Sequence, residues 1–139
     1  MPRLKSYPIE TVEGVERVHA QRLIGEGVRT TGQLLKRGAH PQGRALLAAR
    51  TGIAEDEILR WIHRADLMRV PGVGKQFSEL LEAAGIADLQ DLGRREPRSL
   101  AALLDRVNGD HQLAGRTPTT SMVELWVDEA GELPGVVLS

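Results

Sequence analysis

The sequence predicts an all-α fold, and three observations carry that expectation. Apolar residues make up 41% of the 139 residues but aromatics only 3%, so leucine, alanine and valine do the packing, which leans helical. Apolar positions recur at helical spacing in several segments and no segment reads as a convincing strand; the closing VVLS is too short to judge. The chain also resembles itself. Shifted by 58, VEGVERVHAQRLIGEGV (12–28) aligns with VPGVGKQFSELLEAAGI (70–86), pairing Gly14 with Gly72, Val15 with Val73, Arg17 with Lys75 and Gly27 with Gly85. At a slightly longer offset ILRWIHRA (58–65) meets VELWVDEA (123–130), so Trp61 faces Trp126.

Repeats this short cannot bury their apolar faces alone, and packing two copies together is the economical arrangement. The expectation is one pseudo-symmetric domain over 1–139, with repeat 1 at about 9–66 and repeat 2 at about 67–134. The two tryptophans should be buried near the join.

The elements follow in order. Ile58, Trp61, Ile62 and Ala65 form one apolar stripe, and Glu55, Asp56 and Glu57 occupy the first turn, where the helix dipole favours carboxylates. Phe77, Leu80, Leu81 and Ala84 repeat the spacing. Gly85 ends that helix, because glycine tolerates the left-handed conformation just past a last turn. Pro97 suits the start of the next helix and Asn108-Gly109 its exit. Val123, Trp126, Val127 and Ala130 form the last stripe, with Ser121 and Glu124 read as its capping box.

Composition excludes several function classes. With no cysteine there is no disulfide, thiolate nucleophile or cysteine zinc site. His19, His40, His63 and His111 share no metal-ligand spacing, and His19 takes the repeat position of Phe77, which reads as a core or edge histidine. No Gly-x-Ser-x-Gly elbow, Walker loop or carboxylate pair for acid–base work is found, so catalysis and a small-molecule substrate are not expected. The start, MPRLKSYPIETVEG, has no apolar run after its basic residues, and no stretch approaches a membrane span. A cytoplasmic location with no membrane partner is the resulting expectation.

The net charge of −1 argues for no partner by itself, but the charges are unevenly spread. Residues 17–50 carry Arg17, Arg22, Arg29, Lys36, Arg37, Arg44 and Arg50 against Glu26 alone. Residues 107–139 carry Arg116 against Asp110, Glu124, Asp128, Glu129 and Glu132. Two solvated faces, or halves that attract each other, would explain this without any ligand.

The run VPGVGK (70–75) sits between two helical segments. Gly72 and Gly74 would let the backbone turn with no side chain in the way, so that amides at the next helix's start point outward. Such amides, backed by the helix dipole, form an anion site suited to a phosphate, and Lys75 adds a mobile charge. The pattern resembles the helix-hairpin-helix motif. That resemblance implies a grip on the sugar-phosphate backbone without sequence reading, and allows a monovalent cation on the turn's carbonyls. The residues it assigns to nucleic acid are Pro71, Gly72, Val73, Gly74, Lys75 and Gln76, with Arg17, Arg37 and Arg44 from the basic segment adding charge. The first copy departs from the pattern, because Glu16 stands where the second has Gly74. A carboxylate there repels phosphate, so the first hairpin is expected to be structural.

GRALLAARTGIAEDEILRWIHRADLMRVPGVGKQFSELLEAAGIADLQDL, followed by REPRSLAALLDRVN and VELWVDEAGELP, is similar over about 9–134 to the bacterial family called domain of unknown function 4332. That family is read as tandem helix-hairpin-helix units with no established role. A rival reading takes ALLAARTGIAEDEILRWI (45–62) as a DNA-reading helix-turn-helix, but its second helix would present three carboxylates to a polyanion. The function expected is therefore a non-catalytic module that binds DNA without sequence preference. The alternative is a helical protein–protein adaptor with no nucleic-acid ligand.

Overall fold

The apolar stripes fall on helices. The computed structural model describes residues 6–138, and these form α1 (Arg17–Gly25), α2 (Thr31–Gly38), α3 (Pro41–Thr51), α4 (Glu55–Leu67), α5 (Lys75–Ala83), α6 (Leu89–Gly93), α7 (Pro97–His111) and α8 (Thr120–Glu132). A short 3-10 turn, Ile9–Thr11, precedes them. Residues 1–5 and 139 lie outside the described part, and so do the first five residues of the stretch read as lacking a leader. No helix among the described residues is long and apolar enough to cross a membrane.

Helix starts follow side-chain chemistry closely. Thr30, Asp88, Glu96 and Thr119 each accept a hydrogen bond from an amide in the first turn of the helix they precede, satisfying donors with no partner inside the helix. Two boundaries differ from expectation. The cap of α8 is Thr119 rather than Ser121. Helix α7 runs past Asn108-Gly109 to His111, leaving the helix at Gln112 with φ of 52°. Asn108 is buried instead. Its Oδ1 accepts from the Ala114 amide at 2.9 Å and its Nδ2 donates to Thr117 Oγ1 at 3.3 Å. A polar side chain that read as a helix exit is the anchor of the α7–α8 loop.

The 58-residue shift survives folding in detail. It carries α1 (17–25) onto α5 (75–83) and the start of α2 onto that of α6. Gly14 and Gly72 have φ of 94° and 90°, and a Cβ on either would lie 3.2 Å from an indole Nε1, of Trp61 and Trp126 respectively. His19 packs at a tilt against Trp61 and Phe77 against Trp126, with ring centroids 5.2 and 5.1 Å apart. Each tryptophan is thus the floor beneath the hairpin turn of its own half.

The expected single shared core is corrected. Trp61 packs with Ile9, Val12, Val15, Leu23, Leu34, Leu47, Ile58 and Ile62. Trp126 packs in a separate cluster with Val70, Val73, Leu80, Leu81, Leu92, Leu104 and Val123. The two tryptophans belong to different clusters, Trp61 on α4 and Trp126 on α8. Four helices per half, rather than the two of one hairpin, supply enough apolar surface for each half to close its own core. The halves meet along α4, whose end gives Leu67 to the second cluster and Met68 to the first.

Polar bonds complete the join. Arg64, buried on α4, donates to the carbonyl of Glu13 and to the carboxylate of Glu82 on α5. After α8 the chain returns to the first half, where Val136 and Val137 pack on its core and the Leu138 amide donates to Ala39 O at 2.7 Å.

Helix α4 is buried along most of one side and packed by α2, α3, α5 and α6. Glu55 and Asp56 at its start stay exposed, so the surface that α4 would turn to DNA is acidic and the helix-turn-helix alternative is disfavoured by charge.

Candidate functional site

The 70–75 turn lies at the surface. Pro71, Gly72, Lys75 and Gln76 are exposed, while Val73 is fully buried and serves as the turn's anchor in the core. Val73 is therefore corrected from a contact to a support. The Val73 amide donates to Val70 O at 3.0 Å, as Val15 does to Val12 O at 3.1 Å in the first copy, so both turns have the same closure.

The two glycines of the second turn play different parts. Gly72 needs to be glycine, because its left-handed φ is strained for other residues. Gly74 is extended, with φ of −98°, and a Cβ there meets nothing within 4 Å. The turn does not require glycine at 74; leaving it bare keeps the approach to the amides open. Gly72→Ala should therefore cost about 1–2 kcal/mol, and Gly74→Ala should stay within about 0.5 kcal/mol of the parent, as read from urea denaturation.

The helix starts beyond the two turns differ in how they are capped. Ahead of α1, Glu16 forms a loose capping box: its carboxylate faces the His19 amide, and its own amide donates to His19 Nδ1 at 3.4 Å. A protein carboxylate occupies the place where an anion would bind. Ahead of α5, Gly74 offers no side chain, and the first turn of α5 holds no acidic residue. Among the described helices, α5 alone begins with neither a side-chain cap, a proline nor a carboxylate.

Beside this helix start lies a shallow depression lined by Gly72, Gly74, Lys75, Gln76, Phe77, Gly115 and Arg116. Gln76 Oε1 accepts from the Gly115 amide at 3.2 Å, docking the α7–α8 loop against α5. Arg116 is exposed there. It was hidden in the sequence, where it is the lone cation of an acidic third; only the loop, pinned by Asn108 and Gln76, brings it to the turn.

The basic 17–50 segment is not one face. Arg44 is 5% exposed and spends its guanidinium on the carbonyls of Gly38, Ala39 and Leu138, at 2.9, 3.3 and 2.8 Å. It ties the C-terminal tail to the first half and is corrected from contact residue to structural bolt. Arg37 is half-buried and donates to the Glu26 carbonyl, with Arg50 near the Glu26 carboxylate at 3.7 Å and Arg22 donating to Thr51 O at 3.4 Å. These three gather at the C-terminal end of α1, where cations offset the dipole. Arg17 is exposed at the other end, about 12 Å away along the helix.

Carboxylates temper the site. Glu13 Oε2 lies 3.5 Å from Lys75 Nζ, a half-exposed pair of little energetic weight. Burial, and then the Glu13 charge, hold the Glu79 carboxyl above its usual range. Burial pushes Glu82 up too, but hydrogen bonds from Arg64 and Arg60 outweigh it and leave its pKa lowered. Glu82 therefore stays ionised and occupied by those two arginines.

Residues 13–133 match the family described as a domain of unknown function, DUF4332. The chain belongs to that family. Neither a curated protein nor a solved structure matches it. For this DUF4332 chain the candidate site therefore rests on its own geometry: one uncapped helix start, one free approach over Gly74, and the cations Lys75 and Arg116.

Proposed function

We propose that the protein is a tandem helix-hairpin-helix module that binds DNA through the phosphate backbone without sequence preference, using its second hairpin. The asymmetry of the caps carries this reading. Two turns of matching backbone precede two helices of equal length, and at the capping position Glu16 fills the anion place in the first while Gly74 leaves it open in the second. Amides at a helix start favour phosphate. Lys75 and Arg116 supply charge on either side of the depression.

Affinity should be modest. Two cations neutralising two phosphates give a slope of log affinity against log salt of about −2, because each contributes roughly 0.9. Titration of random duplex DNA at several salt concentrations measures this, and Lys75→Ala should remove about one unit of slope whatever the DNA sequence. Gly74→Glu, which copies the first hairpin, should weaken binding most while leaving stability close to the parent. Glu13→Gln should tighten binding, since it frees Lys75 and removes a repelling charge. Equal loss from Glu16→Gly and Gly74→Glu would contradict the assignment to one hairpin. No interaction in dilute buffer would end the DNA reading and leave a protein–protein adaptor.

A further inference from the structure

The first hairpin reaches the second through Glu13. Arg64, buried on α4, donates to the Glu13 carbonyl and to the Glu82 carboxylate, which fixes the Glu13 backbone against α5. From there the Glu13 side chain crosses to the second hairpin, with Oε2 3.5 Å from Lys75 Nζ. Glu79 stands four residues after Lys75 on α5 and is half-buried, at a spacing where side chains are neighbours. The charged groups acting on Glu79 come from each of these elements: Glu13 from the first turn, Arg64 from α4, and Lys75 and Glu82 from α5. Arg64 and Arg60 are taken by Glu82. Lys75, a cation of the candidate site, is thus held between two carboxylates, and one of them comes from the hairpin whose own anion position Glu16 fills.

An arriving phosphate competes with Glu13 for Lys75 and meets a like charge on both carboxylates. We propose that Glu13 and Glu79 form an acid-released brake on the second hairpin: protonated, they free Lys75 for phosphate, so that DNA binds with uptake of protons. This rests on the DNA reading of that hairpin and adds its regulation. The sign follows from linkage. A phosphate beside the carboxylates disfavours their ionised form, so the complex holds more protons than the free parts. Affinity then rises as pH falls, by at most about tenfold per pH unit for each proton taken up. Burial, and then the Glu13 charge, hold the Glu79 carboxyl above its usual range, so uptake falls between neutrality and the range of ordinary glutamates. The Glu13–Lys75 pair is half-exposed, which makes the brake a matter of a few-fold rather than on and off.

Random duplex DNA titrated into the full chain at constant low salt, at about pH 7.5 and about pH 5.5, reads the brake. The parent should bind roughly three-fold or more tightly at the lower pH. Histidines protonate over the same interval, so the carboxylates are identified by combining Glu13→Gln with Glu79→Gln, near-isosteric changes at half-buried positions. At the higher pH the double variant should bind about three-fold more tightly than the parent, and it should gain clearly less on acidification. Calorimetry in two buffers of different ionisation enthalpy should show the parent taking up more protons on binding than the variant does. An equal gain in parent and variant, or binding indifferent to pH, would overturn the brake and leave the DNA reading in place. No binding at either pH would overturn both.

Discussion

Trp61→Ala is expected to cost about 3–5 kcal/mol of folding stability, the usual range for emptying a large buried aromatic site. Trp61 is 1% exposed and supports three things at once: the first core, the tilted ring of His19, and the Gly14 turn beside its indole. Trp126, at 2%, does the same for the second core, Phe77 and Gly72. Domains hold only about 5–15 kcal/mol in reserve, so either change takes a large share. Because the two indoles sit in separate clusters, their costs should add within about 0.5 kcal/mol. Urea denaturation of both single variants and the double one measures this. A cost under about 1 kcal/mol would place that indole at the surface, and strong non-additivity would restore a shared core. Trp126→Ala should also loosen the 70–75 turn and weaken the proposed DNA binding more than Trp61→Ala does.

Asp66→Ala should be comparably severe, at about 3–5 kcal/mol, the penalty for leaving one member of a buried ion pair alone. The Asp66 and Arg69 side chains are both 1% exposed and meet at 2.7 Å. Burial pushes the Asp66 carboxyl up, and the Arg69 hydrogen bond and charge draw it back only in part. Removing Asp66 leaves Arg69 with the Pro134 carbonyl as its remaining partner among the described residues. The contrast that identifies the mechanism is the double change Asp66→Leu with Arg69→Met. Replacing both charges by apolar groups is often neutral or stabilising, so the double variant should be more stable than Asp66→Ala. A mild effect of Asp66→Ala would show that water reaches the pair.

While α2 and α6 carried no reading, the sequence by itself determined the apolar faces of α4, α5 and α8 and the correspondence between the turns at Gly14 and Gly72. Both are local: an apolar stripe at i, i+3, i+4 and i+7 fixes which face of α4, α5 or α8 turns inward, and a glycine at 14 or 72 marks where the backbone must take positive φ. The family and the all-α class were legible for the same reason. Glu16 against Gly74 was legible too, since a side chain is either present or absent at a helix start.

What the tertiary structure alone decided is where charges go. Seven cations between 17 and 50 read as a basic block, yet folding buries Arg44 under carbonyls, turns Arg37 onto the end of α1 and leaves Arg17 at the opposite end of that helix. Arg116 joins the hairpin because Asn108 and Gln76 pin its loop. Arg69 meets Pro134 only because the chain returns across the first half after α8. Hydrophobic spacing repeats within a few residues and can be read along the chain. A guanidinium finds its partner through space, at separations such as the 94 residues between Arg44 and Leu138, and no local pattern encodes that distance.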